Sequence, residues 1–315
     1  MLLNSNSDGT RLSSGGSKKA VSIKAIFRQM FGKSISNSDD DILLEAITKC
    51  CSNTKGLPKD KHIRTILKQM HNNNSLDDGA TPDRIALFAS TLKWTSHSII
   101  TNKILTTLLI LQNYGPSRSL GRYNEATYFL QSMIDADEQK INSLNRQYAL
   151  LCLQKIRFHN SNGVQLSKFF TTKPVTVKSL ISDIDYSVSI SSNELLLIIS
   201  MLLTIQNEII KLINIILSSK DANDNEIVTY HLSLQPIIEE SFSVIVALSN
   251  LIKKLLNQEV KNNSITVSYI NQYNDQLESL RLLYRRANDI PALAGDKIPQ
   301  ILPEFFNSNL VQDKM

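Results

Sequence analysis

The chain has 315 residues, 42% of them hydrophobic and 20% charged, which is enough apolar material for a sizeable core and too much for a disordered tail. Its 34 basic and 29 acidic side chains leave a formal net charge of +5, so the placement of charge, more than its total, decides whether anionic partners are bound. Three cysteines, two of them adjacent as Cys50 and Cys51, give neither a disulfide framework nor a spaced metal-ligand pair, which points to a reducing compartment, the cytosol by default.

Met1 to Lys19 carries Gly9, Gly15 and Gly16 among serines and asparagines. Such a composition buries too little apolar surface to offset the entropy of ordering, and residues 1–37 read as a flexible leader without a secretory signal. Inside it, Ser22 to Ile35 sets Ile23, Ile26, Phe27, Met30 and Phe31 on one helical face, with Lys24, Arg28, Gln29 and Lys33 on the other. That is the pattern of a helix lying in a membrane interface, and it equally suits a helix packed on a domain.

From Asp41 onward apolar residues recur at three- and four-residue spacing, in Ile42, Leu43, Ala46 and Ile47 and again in Ile63, Ile66, Leu67 and Met70, predicting two amphipathic helices. Thr81-Pro82 opens a third, to Leu92; Ile104–Asn113 is a fourth, stopped by Gly115-Pro116; Arg122–Ile134 and Lys140–Phe158 complete the short series. Val175 to Val188 reads as a further short helix with some strand character. Beyond Gly163 the only glycine is Gly295, which leaves room for three long helices over about 193–217, 234–257 and 264–288. The apolar run Leu195 to Ile205 is too short on its own to span a bilayer and reads as a buried helix. The expected architecture is all-α, with short helices over 38–160, a bundle of long helices over 161–290 and a short tail over 291–315.

One corner concentrates positive charge. Lys49 ends the first helix, the turn from Ser52 to Pro58 follows, and Lys59-Asp60-Lys61-His62 opens the second. A phosphorylated inositol ring carries several negative charges on a rigid disc. It is matched by ammonium groups arriving from separate directions, and a helix N-terminus adds amide donors and a favourable dipole. Asp60 is tolerable in that setting only with its carboxylate turned away.

The spacing is distinctive. Lys49, nine residues, then Lys59-x-Lys61-His62 resembles the phosphoinositide-binding signature of the ANTH family, the N-terminal homology domain of clathrin-assembly proteins. Trp94, Lys103 and Gly115, then Leu130 to Asp135, then Arg146-x-Tyr148-Ala149 with Lys155, are similar to further segments of that family. The resemblance covers about 38–288. It implies a right-handed superhelix of short helices followed by a bundle of longer ones, and Lys49, Lys59, Lys61 and His62 as the headgroup ligands. It further implies a non-enzymatic adaptor on phosphatidylinositol 4,5-bisphosphate, peripheral at the plasma membrane in clathrin-coated pits and vesicles. Clathrin, an adaptor complex and a vesicle SNARE are its implied partners.

Other chemistry finds little footing. The five histidines form no HxxxH pair, no nucleotide-binding or nucleophile-elbow motif occurs, and neither a cofactor nor a metal is expected. Basic residues without interleaved aromatics argue against nucleic acid. Asp39 to Leu44 matches an acidic dileucine pattern, although Leu43 and Leu44 fall in a predicted helix and suit core packing. The alternative to a lipid-binding adaptor is a VHS-like or solenoid scaffold in which the lysines are merely solvated and a helical groove binds peptide.

Overall fold

The computed structural model describes residues 38–51, 56–72, 98–115, 124–137, 139–163, 166–169, 191–219, 224–257, 263–293 and 298–307. All of them lie in the unit Asn37–Met315. The expected leader helix at 22–35, the helix after Pro82, Trp94 and the 175–188 segment lie outside the described residues. Among the described residues there are eight α-helices and no strand. In chain order they are α1 (Ser38–Cys50), α2 (Asp60–Asn72), α3 (Ser98–Tyr114), α4 (Asn124–Ile134), α5 (Ser143–Asn162), α6 (Ser192–Ser218), α7 (Asp224–Asn257) and α8 (Asn263–Asn288).

The apolar stripes do what their period predicts. α1 buries Leu43, Leu44, Ala46 and Ile47, and α2 buries Ile63, Ile66, Leu67 and Met70. These two stripes pack on each other, and both helices touch α3. Leu43 and Leu44 are therefore core residues, as their helical position suggested. α3 is buried on nearly every face from Ile100 to Tyr114. Gly115 ends it where space is shortest, since a Cβ there would stand 2.8 Å from Met70 Cε and 2.7 Å from the Leu111 carbonyl.

α5 starts three residues later than expected, because Asn142 caps it: the Asn142 side-chain oxygen accepts from the Asn145 amide at 2.8 Å. A cap of this kind is worth about 1 kcal/mol. α6 opens with a reciprocal box in which Ser191 accepts from the Glu194 amide while the Glu194 carboxylate accepts from the Ser191 amide. It then packs against α5, α7 and α8. By length and composition α6 and Ile227–Asn257 of α7 are apolar enough to cross a membrane, yet more than half of each apolar window, 56% and 67%, is buried against protein. They form the core of the bundle.

The second long helix departs from expectation. It begins at Asp224, ten residues before the expected start near Leu234, and runs through Pro236. Pro236 lacks the amide that would bond the Leu232 carbonyl, a local cost. Burial of Thr229, Tyr230, Ser233 and Leu234 on the N-terminal side offsets it.

A buried polar knot ties three helices together. Lys155 of α5, fully buried, places Nζ 2.6 Å from Glu240 Oε1 of α7 and donates to Asn113 Oδ1 of α3 at 2.6 Å. Asn113 returns a hydrogen bond to Glu240 Oε2 at 3.2 Å. Nearby, Tyr148 donates to Thr106 across α5 and α3 at 3.2 Å. Tyr148 and Lys155, two of the residues that carried the family resemblance, thus serve the core. After α8 the chain returns as an extended strap, Ile298–Asn307, whose Phe306 backbone exchanges two hydrogen bonds with the Asn274 side chain, at 2.8 and 3.1 Å.

Candidate anion-binding corner

Lys49 stands in the last turn of α1, where a cation complements the carbonyl end of the helix dipole. Lys59 immediately precedes α2, and its carbonyl accepts from the amides of His62 and Ile63 at 2.9 and 3.4 Å. The Asp60 and Lys61 amides come before that first intrahelical bond, so the amide end of α2 opens at the corner. Lys49, Lys59, Asp60 and Lys61 are exposed and His62 is half-buried.

The return of the loop to α2 is fixed from a distance. Gly56 adopts φ +94°, which side-chain-bearing residues rarely take. Its amide donates to the hydroxyl of buried Thr229 at 3.5 Å, and the same residue lies against Leu232. Both partners belong to the N-terminal part of α7 that lies ahead of Pro236. Asn142, besides capping α5, donates to Tyr230 at 2.8 Å and fastens this part of α7 to α5.

Electrostatics show the convergence of the corner. His62 titrates below the ordinary 6.5, first because it is partly desolvated and then because the charges of Lys61, Lys49 and Lys59 all bear on it, while Glu45 opposes them. Glu45 itself is paired with Lys49 one turn away on α1. Behind the corner Lys103 of α3 is buried, 1% exposed. Burial holds its ammonium below the ordinary lysine value, and Lys59 is close enough to push it the same way. The neighbouring Cys50 thiol is pushed up to about 12 by burial and the Cys51 thiol is pushed up as well, so neither is a reactive thiolate.

Of the predicted site residues, Lys49 lies at the end of α1 and Lys59, Lys61 and His62 at the start of α2, and the three lysine charges bear on the His62 imidazole. The membrane-insertion candidates Ile23, Ile26, Phe27, Met30 and Phe31 lie outside the described residues. Sequence reasoning passed over Glu45 as a participant, although its position four residues before Lys49 is the standard spacing of a helical ion pair. It also had no signal for Thr229, which is remote in the chain from the loop that it holds. Among the described residues no group of three His, Cys, Asp or Glu side chains is placed to hold a metal ion.

A family model, the ANTH domain, matches residues 42–306. Comparison with curated proteins gives no match. Among solved structures, the ENTH domain from epsin-2 in complex with phosphatidylinositol 4,5-bisphosphate is similar with a TM-score of 0.62 at 18% identity, over 84% of this chain and 97% of that one. Helical ANTH and ENTH tubules on membranes containing that lipid give 0.58 at 20% identity, over 87% and 99% of the two chains. The endocytic adaptor complex AENTH gives 0.57 at 16% identity, over 85% and 100%. At these identities the likeness establishes the fold.

Proposed function

The chain belongs to the ANTH domain family, and from that membership we propose that it is a phosphoinositide-binding endocytic adaptor that docks on phosphatidylinositol 4,5-bisphosphate through Lys49, Lys59, Lys61 and His62. The observation that carries the reading is the convergence of three exposed lysines on His62 at the amide end of α2. Each lysine near an anionic surface contributes about 1 kcal/mol through the surface potential. Direct phosphate contacts are stronger than neutral hydrogen bonds, and three lysines with a helix N-terminus suffice for reversible docking. Binding by the epsin-2 ENTH domain and assembly of ANTH and ENTH tubules on membranes with the same lipid support this choice of headgroup. The role is one of binding, with no chemical step.

Around this core we place finer parts of the same reading. Residues 22–35 add an interfacial helix with Ile23, Ile26, Phe27, Met30 and Phe31 on its apolar face. The protein acts at the cytosolic face of the plasma membrane in clathrin-coated pits and vesicles. Clathrin, an adaptor complex and a vesicle SNARE are its partners there. Domain boundaries follow as a leader over 1–37, a helical domain over 38–290 and a tail over 291–315.

Vesicle flotation tests the lipid clause. Wild-type protein is expected to float with vesicles containing phosphatidylinositol 4,5-bisphosphate and to stay behind with phosphatidylcholine alone. Lys59→Glu with Lys61→Glu abolishes flotation while leaving the thermal transition unchanged. Undiminished flotation of that variant overturns the site and favours a peptide-binding scaffold.

A further inference from the structure

Glu45 contributes nothing to the attraction of an anion, yet it occupies the corner. Its carboxylate is bonded to the Lys49 ammonium, and both side chains are more than half exposed, Lys49 at 51% and Glu45 at 60%. The same carboxylate acts on His62 against the three lysines. Its position is set by helix geometry: four residues before Lys49 on α1, with Ala46 and Ile47 between them turned into the core, it shares the outer face that carries Lys49.

We infer that Glu45 is an internal counter-ion that holds Lys49 in the unliganded protein and competes with the phosphate group for that ammonium, thereby setting the affinity threshold of the corner. The inference rests on the lipid reading above and adds to it a residue that opposes binding.

To engage a headgroup, Lys49 must leave the partner that it already has. A lysine that is solvated exchanges water for phosphate, whereas a lysine paired with a carboxylate must also give up that partner. The carboxylate is then left beside a polyanion. Both effects weaken binding, and both disappear when Glu45 is made neutral with its shape retained. Because the pair is exposed, the expected gain is the size of an exposed ion pair, about two- to fivefold in affinity.

The test is a double-mutant cycle on vesicles containing phosphatidylinositol 4,5-bisphosphate, read as the lipid concentration for half-maximal binding. The four proteins are wild type, Glu45→Gln, Lys49→Gln and the double variant. Glu45→Gln is expected to bind about two- to fivefold more tightly than wild type. In the Lys49→Gln background the same change is expected to gain less, since no ammonium is left to release and only the repulsion between the carboxylate and the headgroup is removed. An equal gain in both backgrounds means that Glu45 acts only as a remote charge and overturns the competition. No gain, or a loss, means that Glu45 is a spectator or holds Lys49 ready for lipid, and overturns it too. Absence of wild-type binding fells the lipid reading itself, a result distinct from these.

Discussion

The amide of Gly56, in the loop that delivers Lys59, is bonded at 3.5 Å to the hydroxyl of Thr229, 173 positions further along the chain. The loop between α1 and α2 is thereby tied to the start of α7, outside the short helices that supply Lys49, Lys59 and Lys61. This contact adds to the α1–α2 packing that sets Lys59, Lys61 and His62 opposite Lys49.

Gly56→Ala follows directly. A Cβ at Gly56 would make an ordinary contact with Leu232 Cδ1 at 3.7 Å, so space is available, but the φ of +94° is strained for alanine. Urea denaturation is expected to show a loss of about 1 kcal/mol. Vesicle affinity should fall with it, because relief of the strain shifts Lys59; a variant as stable as wild type would contradict the anchoring role.

His62 gives a pH signature. In the free protein its imidazole titrates below 6.5, so the neutral form is favoured and stability declines as pH falls through that range. A bound phosphate dianion reverses the balance and raises the imidazole toward its charged form, so binding takes up a proton. Affinity for bisphosphate vesicles therefore rises as pH is lowered from 7.5 to 5.5. His62→Gln removes that part of the rise, leaving only the titration of the lipid phosphates; identical profiles for the two proteins would exclude a His62 contact.

The buried knot is sensitive to the loss of a single partner. Lys155→Met leaves the Glu240 carboxylate, 2% exposed, without its cation. The expected loss is about 3–5 kcal/mol. Adding Glu240→Gln should recover a substantial part of it, because the stranded charge is then gone. Chemical denaturation of the single and double variants reads the difference, and additive losses would mean that the two residues are not coupled.

Asn274 holds the strap. Its side chain answers both backbone groups of Phe306, while the rings of Tyr273 and Phe306 meet at 5.2 Å and Arg281 covers Phe305 at 4.2 Å. Asn274→Ala should cost about 1–3 kcal/mol locally, one to two hydrogen bonds. Hydrogen exchange at the Phe306 amide is expected to accelerate while the amides within α6 stay protected. Unchanged exchange at Phe306 would show that Asn274 does not hold the strap.

Apolar period alone located α1, α2, α6 and α8 to within a few residues, since each buries one continuous stripe and three- or four-residue spacing is all that a stripe requires. The turn between two packed helices was likewise legible, and it sets Lys49 at the end of α1 and Lys59, Lys61 and His62 at the start of α2. Tertiary structure decided the rest. The local pattern set the start of α7 near Leu234, and only the burial of Thr229, Tyr230 and Ser233 against the rest of the fold carries it back through Pro236 to Asp224. Nothing local signals that Lys103 and Lys155 are buried; the approach of α1 and α2 to α3, and of α7 to α3, buries them. The physical reason is range. Helical periodicity and the corner's spacing are set by residues a few positions apart, whereas burial of a charge and anchoring of a loop depend on partners brought in from distant parts of the chain.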